Sequence, residues 1–597
     1  MRRLFFLCAL GAVLVLARGA TADDLPLTRQ PAVFDLADYL NLYPDMMRAY
    51  AGTTQAADYW LQTGLPKEGR RASVIFDPQY YLERNPDLRA KFGSQGYESA
   101  LRHFLSTGLA EGRRGSLEFD PKFYLGSNPD LAQAYGATNY RAAADHFRVQ
   151  GLPKEGRAGS AEFAIKAYIG LYPDVAAAYG NTNYRAAMWH WLRRGKAQAR
   201  VGAGTPKPAR ECASPGPAQG FTRIFIALRS DGRAGTGTAS DPYDGSNEDK
   251  FDAILRARSE ANQHNLIVCI GPGGFRTRGT ADFVINVPHK TATGFTLNQN
   301  WHVHGAGMDQ TTLLLTYFQP QPKNMGVGVV FSTHDDQASG IEISDVAVDN
   351  NYPELKRQAR GQGIRELDLE AIHLRSDQGG HHVHHLRVRQ SAGESVETFP
   401  VSIGSVNAAV SSANLIEFVI MSDWGAGKCA GIALFRATGE VRYNVVRDYE
   451  KGFGGWSLIR DSDQGHAWFH DNFALENPTV GFIVDSLQND GVVFEFNEVI
   501  HPGRWGIILG AGERFANFQV TDNTIELDNH SAIAFVIQSN VTNSTITRNL
   551  LLLDPHAGNA KEVVMKGSGT HHVQIQNKIL RATDCGPDGR CAPAMPQ

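Results

Sequence analysis

Apolar and polar positions recur along this chain with two different periods. Over residues 34–200 the period is about 43 residues, and over much of the chain beyond 221 it is about 25–28. The first pattern starts at Phe34-Asp35, Phe76-Asp77-Pro78, Phe119-Asp120-Pro121 and Phe163. Each start is followed ten residues on by Pro-Asp, at Pro44-Asp45, Pro86-Asp87, Pro129-Asp130 and Pro173-Asp174. A polar-aromatic column follows at Tyr59, His103, His146 and His190, with Gly64, Gly108, Gly151 and Gly195 five residues later. Glu-Gly-Arg closes the first three units, at Glu68-Gly69-Arg70, Glu111-Gly112-Arg113 and Glu155-Gly156-Arg157. Self-similarity at this period indicates stacked supersecondary units. Asp-Pro marks a helix start, and the apolar positions 97, 100, 101, 104 and 105 follow a 3.6-residue period. Two short helices per repeat are therefore expected, the glycine acting as C-cap. The His column reads as one structural aromatic position rather than a ligand set, because Tyr59 fills it in the first repeat. Residues 201–220, with Pro206, Pro208, Pro215 and Pro217, read as a linker.

Beyond 221 the pattern is that of short strands. Asn recurs at 444, 472, 497, 523, 549 and 577, at spacings of 28, 25, 26, 26 and 28. A second strand recurs half a period away, at Ile432–Arg436, Trp456–Arg460, Phe482–Asp485, Ile507–Gly510, Ala534–Gln538 and Val563–Lys566. Six coils of this length predict a parallel β-helix, with equivalent residues about 4.8 Å apart on successive coils. An Asn in every coil then forms a side-chain ladder. Earlier strands, near Ile343–Val348, Ala371–Arg375, His384–Val388, Val401–Ile403 and Ile416–Ile420, bring the expected total to at least eight coils. The fold class expected is mainly β, a parallel β-helix over 221–583 preceded by an α-helical repeat domain.

The entry to this region carries a family likeness. An amphipathic helix at Phe251–Ala261 is followed by the strand Leu266–Ile270 and the turn Gly271-Pro272-Gly273-Gly274. Then come Trp301-His302-Val303-His304-Gly305-Ala306-Gly307 and Thr311-Thr312-Leu313. This order resembles the pectin-lyase-like superfamily, which implies that the β-helix is right-handed. The catalytic motifs of two branches are missing: the Asn-Thr-Asp, Asp-Asp, Gly-His-Gly and Arg-Ile-Lys set of polygalacturonases, and the Arg-x-Pro-x-x-Arg of pectate lyases. The front repeats resemble tandem repeats of exported bacterial proteins.

In stacked coils a site assembles from residues about 25 apart. Four residues after the Asn register lie Asp448, Glu476 and His501, with Asp423 contributed by the preceding coil. Carboxylates on adjacent coils approach the separation used by retaining glycosidases, and coupling raises one pKa to make a general acid. The same oxygens suit Ca²⁺ as an alternative; no other cofactor is indicated. Trp424, Tyr449 and Trp505 lie beside the column and are read as sugar platforms. At the end of the other strand a second column contains Arg375, Gly404, Arg436, Arg460, Asp485, Gly510, Gln538 and Lys566. Arg436 and Arg460 are positioned to clamp a uronate carboxylate, as β-elimination requires. In His381-His382-Val383-His384-His385, extended backbone puts His382 and His384 on one side. No carboxylate or Cys spacing completes a metal set around them, so a coil-edge role is expected.

Composition narrows the partners. A net charge of −4 gives no electrostatic case for nucleic acid or an anionic membrane. Arg2 and Arg3, the apolar run Leu4–Leu16 and Ala20-Thr21-Ala22 read as a signal peptide over 1–22, so a secreted or cell-surface protein is expected. No other apolar stretch reaches membrane-spanning length. Cys585 and Cys591 flank a Gly-Pro-Asp-Gly turn and are expected to pair in the tail 584–597, leaving the pairing among Cys212, Cys269 and Cys429 open. Two functions fit these features: a polysaccharide-active enzyme, lyase or glycoside hydrolase, working on an extracellular glycan, or a non-catalytic adhesin or glycan-binding protein.

Overall fold

The computed structural model describes residues 27–581, except 51–54, 197–199, 204–211, 213–219, 282–293, 406, 408, 459–464, 486–487, 511–513, 529–531, 538–540, 554–559 and 566–570. The expected signal peptide, the Cys585–Cys591 pair and Arg460 lie outside the described residues. An aspartate opens each of the first three helical repeats. The side chains of Asp35, Asp77 and Asp120 each accept from the backbone N–H groups two and three residues on, at 2.9–3.2 Å. This is the capping that an N-terminus with free donors requires. Each repeat then holds three short helices rather than the expected two, as in Pro78–Arg84, Pro86–Phe92 and Tyr97–His103. Proline opens the second helix as well as the first, so Pro-Asp begins an element of its own.

The third helix ends in a widened turn, in which Leu65, Leu109, Leu152 and Lys196 donate to the carbonyl five residues back. The glycine after the His column sits inside this turn and is not a left-handed cap. A Cβ on Gly108 would lie 2.1 Å from the Tyr81 hydroxyl, and one on Gly151 2.0 Å from that of Tyr124. Those hydroxyls bond the His column: Tyr81 with His103 Nδ1 at 3.0 Å, Tyr124 with His146 and Tyr168 with His190 at 2.9 Å. The left-handed residue is instead the glycine of Glu-Gly-Arg, with φ of +63°, +69° and +59° at Gly69, Gly112 and Gly156. The arginine that follows it pairs with the Pro-Asp carboxylate, as in Arg113–Asp87 and Arg157–Asp130.

The first repeat also meets the fourth. Arg185 bonds Asp35 and Asp38, Trp189 bonds Asp38, and the array closes on itself. In its interior the buried Glu118 receives Arg71 at 2.8 Å, Trp191 at 2.9 Å and Lys196 at 3.3 Å. Burial opposes the charge on Glu118, but Arg71, Lys196 and the indole bond outweigh it and hold the carboxyl at about 2.

Chain contacts divide the protein into two units, the second of which contains Ile169–Asn181 and Gly204–Gln597. This second unit is a right-handed parallel β-helix. Its coils hold three strands, not two. One coil runs Ala437–Arg442, Val445–Arg447 and Lys451–Trp456, and the next Ala467–His470, Phe473–Leu475 and Val480–Asp485. Like strands pair in parallel, giving a first, a second and a third sheet. The first four ladder asparagines lie between strands, and Asn549 and Asn577 lie within Val541–Leu553 and His571–Arg581. They mark the corner between first and second sheets, the first five each after a left-handed residue: Tyr443, Asp471, Phe496, Asp522 or Arg548, with φ between +54° and +60°. Each amide donates to the next Asn Oδ1 at 2.8–3.0 Å, from Asn444 to Asn577. The same oxygen accepts the preceding ladder residue's backbone N–H, and the second amide proton goes to a strand carbonyl, as Asn497 does to Phe469. In earlier coils Val346, Leu386 and Val419 occupy this register, so their period is not marked by Asn.

The interior is one continuous apolar column, with stacked rings such as Phe453 on Phe482 at 4.7 Å. Helix Glu248–Glu260, capped by Asn247, contributes Phe251 and Leu255 to this column. A disulfide joins Cys212 to Cys269, and Cys429 is a buried thiol. No helix among the described residues is long and apolar enough to cross a membrane.

Two measurements check these accounts. Asn497→Ala strips the acceptor from the Asn472 N–H and amide and a donor from Phe469, so it should lower the stability of the β-helix by roughly 2–4 kcal/mol in urea unfolding. Ladder side chains that contribute nothing would leave the midpoint unchanged. For Glu118 the folded value near 2 lies below the ordinary 4.5, so its stabilisation is complete above 4.5 and is lost as pH falls towards 2. Glu118→Gln should weaken the helical unit by about 3–5 kcal/mol at neutral pH and flatten this acid dependence, read by circular dichroism during urea titration.

Candidate functional site

The expected acidic column exists. Ile420 and Met421 pair with Val445 and Val446, which carries Asp423 into register with Asp448. Arg447 pairs with Leu475, and Leu475 with Ile500, which adds Glu476 and His501. All four residues take left-handed φ, from +51° to +61°, at the corner after the second sheet. The other Asn corner does the same without any acidic column, so this conformation belongs to the coil and is not a mark of strain for function. Asp423, Asp448 and Glu476 are exposed and His501 is half-buried. Partial desolvation, then Glu476 and Asp423, raise the Asp448 carboxyl against the opposing pull of Arg447. The Glu526 bond raises His501, aided by Asp528 and Glu476.

The aromatic platforms do not form as expected. Tyr449 follows Asp448 by one residue, and the left-handed corner at Asp448 turns it inward. It is fully buried in the β-helix core. Trp424 stands in the same relation to Asp423 and packs against that core. Trp505 lies on the third sheet against Val480, Ile483, Ile508 and Val536.

The second column is also corrected. Pairing runs Arg375–Gly404–Phe435–Trp456–Asp485. Arg436 lies one residue past this register, bonded to the Asn407 carbonyl, and the third-sheet strand of the next coil stops at Trp456; Arg460 lies outside the described residues. The offset arises because Phe435 and Trp456, not the arginines, occupy the repeated strand position; their rings stack at 5.3 Å. Arg375 is buried with its guanidinium 4.5 Å from the Phe435 ring, and burial pushes it down to about 10. No arginine clamp for a uronate forms along this register among the described residues.

The outer face of the first sheet carries chemistry that the Asn count passed over. Inward residues Val441, Phe469 and Phe494 are buried, and the residues between them face out. One outward column runs Glu440–Trp468–Val493–Gln519, and its neighbour Glu417–Arg442–His470–Glu495–Thr521. Trp468 lies 4.0 Å from the His470 ring, and Asp471 bonds His470 Nδ1 at 2.9 Å. Around them is a groove of about 500 Å³ lined by His466, Trp468, Glu495, Asn517, Gln519, Asn543 and Thr545. Burial raises the Glu495 carboxyl above its ordinary value; His470 and the nearby Trp468 indole oppose this, and the charges of Asp522 and Asp471 add to it. These residues stand two, four or six places before a ladder asparagine, so counting backwards from the Asn register would have found them.

Further along the same face stands the His cluster. His382 and His384 share one side, as expected, with rings 4.1 Å apart. Carboxylates absent from the local sequence arrive from neighbouring coils. Glu342 lies 3.1 Å from His384 Nε2, and Glu417 lies 3.1 Å from His382 Nε2.

No family profile matches the chain, and no curated protein matches it in sequence. Among solved structures it is similar to the A-module of mannuronan C-5 epimerase AlgE4 from Azotobacter vinelandii, at 14% identity over 59% of this chain and 97% of that one, with a TM-score of 0.38. It is similar to the tailspike protein of Escherichia coli bacteriophage HK620 in complex with a pentasaccharide, at 13% identity over 55% of this chain and 62% of that one, with a TM-score of 0.37. The family 28 exopolygalacturonase of Yersinia enterocolitica matches at 10% identity over 60% of this chain and 78% of that one, with a TM-score of 0.33. At these identities the likeness is one of fold.

Proposed function

We propose that the protein is a polysaccharide-active enzyme, a lyase or glycoside hydrolase, that holds an extended glycan along the outer face of the first sheet. The observation that carries this reading is the groove lined by Trp468 and Glu495, with the buried His470 beneath them. Trp468 offers an apolar face for a sugar ring. Asn517, Gln519 and Asn543 line the same groove with amides suited to hydroxyl groups. Glu495, with its raised pKa, is fitted to give a proton to a leaving oxygen, and His470, oriented by Asp471, is fitted to take one. The acidic column of Asp423, Asp448, Glu476 and His501 is the second array able to do acid–base work. It is the more exposed of the two, and water weakens charge effects there. Its oxygens also suit Ca²⁺.

A non-catalytic glycan-binding or adhesive role is the competing reading. It is favoured by the pairing of Glu417, Arg442 and Glu440 with one another, which leaves less free charge for chemistry. Secretion, as expected from the leader, would place either activity outside the cell.

Incubation with plant, algal and bacterial polysaccharides, with Ca²⁺ or with chelator, separates these readings. Unsaturated products absorbing in the ultraviolet report elimination; new reducing ends without that absorbance report hydrolysis. Glu495→Gln should lower turnover by about 10²–10⁴-fold, the range of a general acid or base. Asp448→Asn and Glu476→Gln should stay within a few-fold of wild type. The wild-type rate should fall as pH rises through the elevated Glu495 pKa, because the protonated form is the donor. A reversed pattern moves the chemistry to the acidic column, and binding without any product establishes the adhesive reading.

A further inference from the structure

We infer that Glu342, His382 and His384 form a binding site for one transition-metal cation of the Zn²⁺ class on the outer face of the first sheet. Two neighbouring coils supply its ligands, and a third borders it. Strand His382–Arg389 lies between strands Glu342–Asp349 and Ser411–Met421, with His382 paired to Glu342 and His384 to Glu417. The two histidines are alternate residues of one strand, so both point outward, and their rings are inclined at 32° with centroids 4.1 Å apart. One donor atom from each of Glu342, His382 and His384 lies within 4.8 Å of the other two. His384 Nε2 is 3.1 Å from Glu342 Oε1. Zinc bonds to nitrogen and oxygen are close to 2 Å, so the ligand–ligand edge of a tetrahedral site is about 3.3 Å. The His384–Glu342 spacing is close to that edge, and the other donor spacings, within 4.8 Å, would close to it on binding.

The surroundings supply what such ligands need. The other nitrogen of His384, Nδ1, lies 2.8 Å from His385 Nδ1, which fixes the ring with Nε2 towards Glu342. Glu417, 3.1 Å from His382 Nε2, adds a second carboxylate and is itself bonded by Arg442. Beyond these, His302 and His304 approach the Glu342 carboxylate to 3.9 Å. Two imidazoles with carboxylate oxygen favour zinc, nickel or copper over calcium and magnesium, which take all-oxygen sets. All three ligands are partly exposed, so the ion has a route in and a coordination position left open to solvent. A metal here would tie two successive coils together from outside, with Glu417 of the next coil beside it.

The test reads binding alone, so it stands or falls apart from the glycan activity. Full-length protein freed of metal by chelator is titrated calorimetrically with ZnCl₂ and with CaCl₂, and its unfolding midpoint is measured with and without zinc. We expect one equivalent of zinc at sub-micromolar affinity, a raised midpoint, and no response to calcium. His382→Gln with His384→Gln should weaken zinc by at least about 100-fold, and Glu417→Gln by less. Equal binding by wild type and the double variant, or no zinc response in wild type, overturns the site. Should the double variant melt at lower temperature without metal, the visible spectrum of Co²⁺ added to wild type decides. Intense four-coordinate bands support the site, and the weak spectrum of the aqueous ion refutes it.

Discussion

From Asn444 onwards the β-helix depends on one side-chain interaction, the amide ladder at the corner between its first and second sheets. A chain turning sharply at each coil leaves buried backbone donors and acceptors that no strand can pair. Asparagine resolves this with a single side chain. Its oxygen takes an amide and a backbone N–H from the coil before, while its nitrogen gives one proton to the next coil and one to a strand carbonyl. Because each residue completes its neighbour, the ladder sets the register of everything stacked on it, including the acidic column and the groove. The left-handed residue before each of the first five asparagines makes the turn tight enough for this contact. The third sheet adds a close approach of its own: a Cβ at Gly431 would meet Val446 at 2.5 Å and one at Gly481 would meet Val499 at 2.6 Å, so glycine lets the sheets come together.

The repeats and the coil period were legible because both are written as fixed spacings. The column Asp423–Asp448–Glu476–His501 was legible for the same reason: it lies at a constant offset from the ladder. Orientation was harder. Neighbours in sequence such as Asp448 and Tyr449 point to opposite sides of the coil wall, so proximity along the chain misled the search for aromatic platforms. The arginine register failed through a different cause. Arg436 and Arg460 were aligned by residue type, while the strands are aligned by Phe435 and Trp456, whose side chains pack. Three strands per coil, rather than two, could not be read because the second strand is only three residues long in three of the six Asn-marked coils.

The richest face was hidden by sequence distance. Glu342, His382 and Glu417 are separated by 40 and 35 residues, since the coils at this end carry longer excursions than those marked by asparagine. No local motif can show a set assembled across such unequal gaps; only strand pairing brings it together. The groove at Trp468 and Glu495 comes from regular coils, yet alternation hides it too, since its members are every second residue of very short strands. Chemistry on this fold therefore accumulates where outward strand positions line up, and the corners mainly keep the stack in order.

Arg185 reaching Asp35 and Asp38 has a consequence for how this chain can change over time. A β-helix is open along its axis, and a duplicated coil can be accommodated wherever it brings its own asparagine. The helical array has no such freedom. Its first and last units are each other's neighbours, and Glu118 sits between arginine, tryptophan and lysine drawn from both sides of the closure. A fifth unit would have to force that joint apart, and a third without a fourth would leave it empty. Length variation among descendants of this chain should therefore accumulate in the β-helix, while the number four persists at the front.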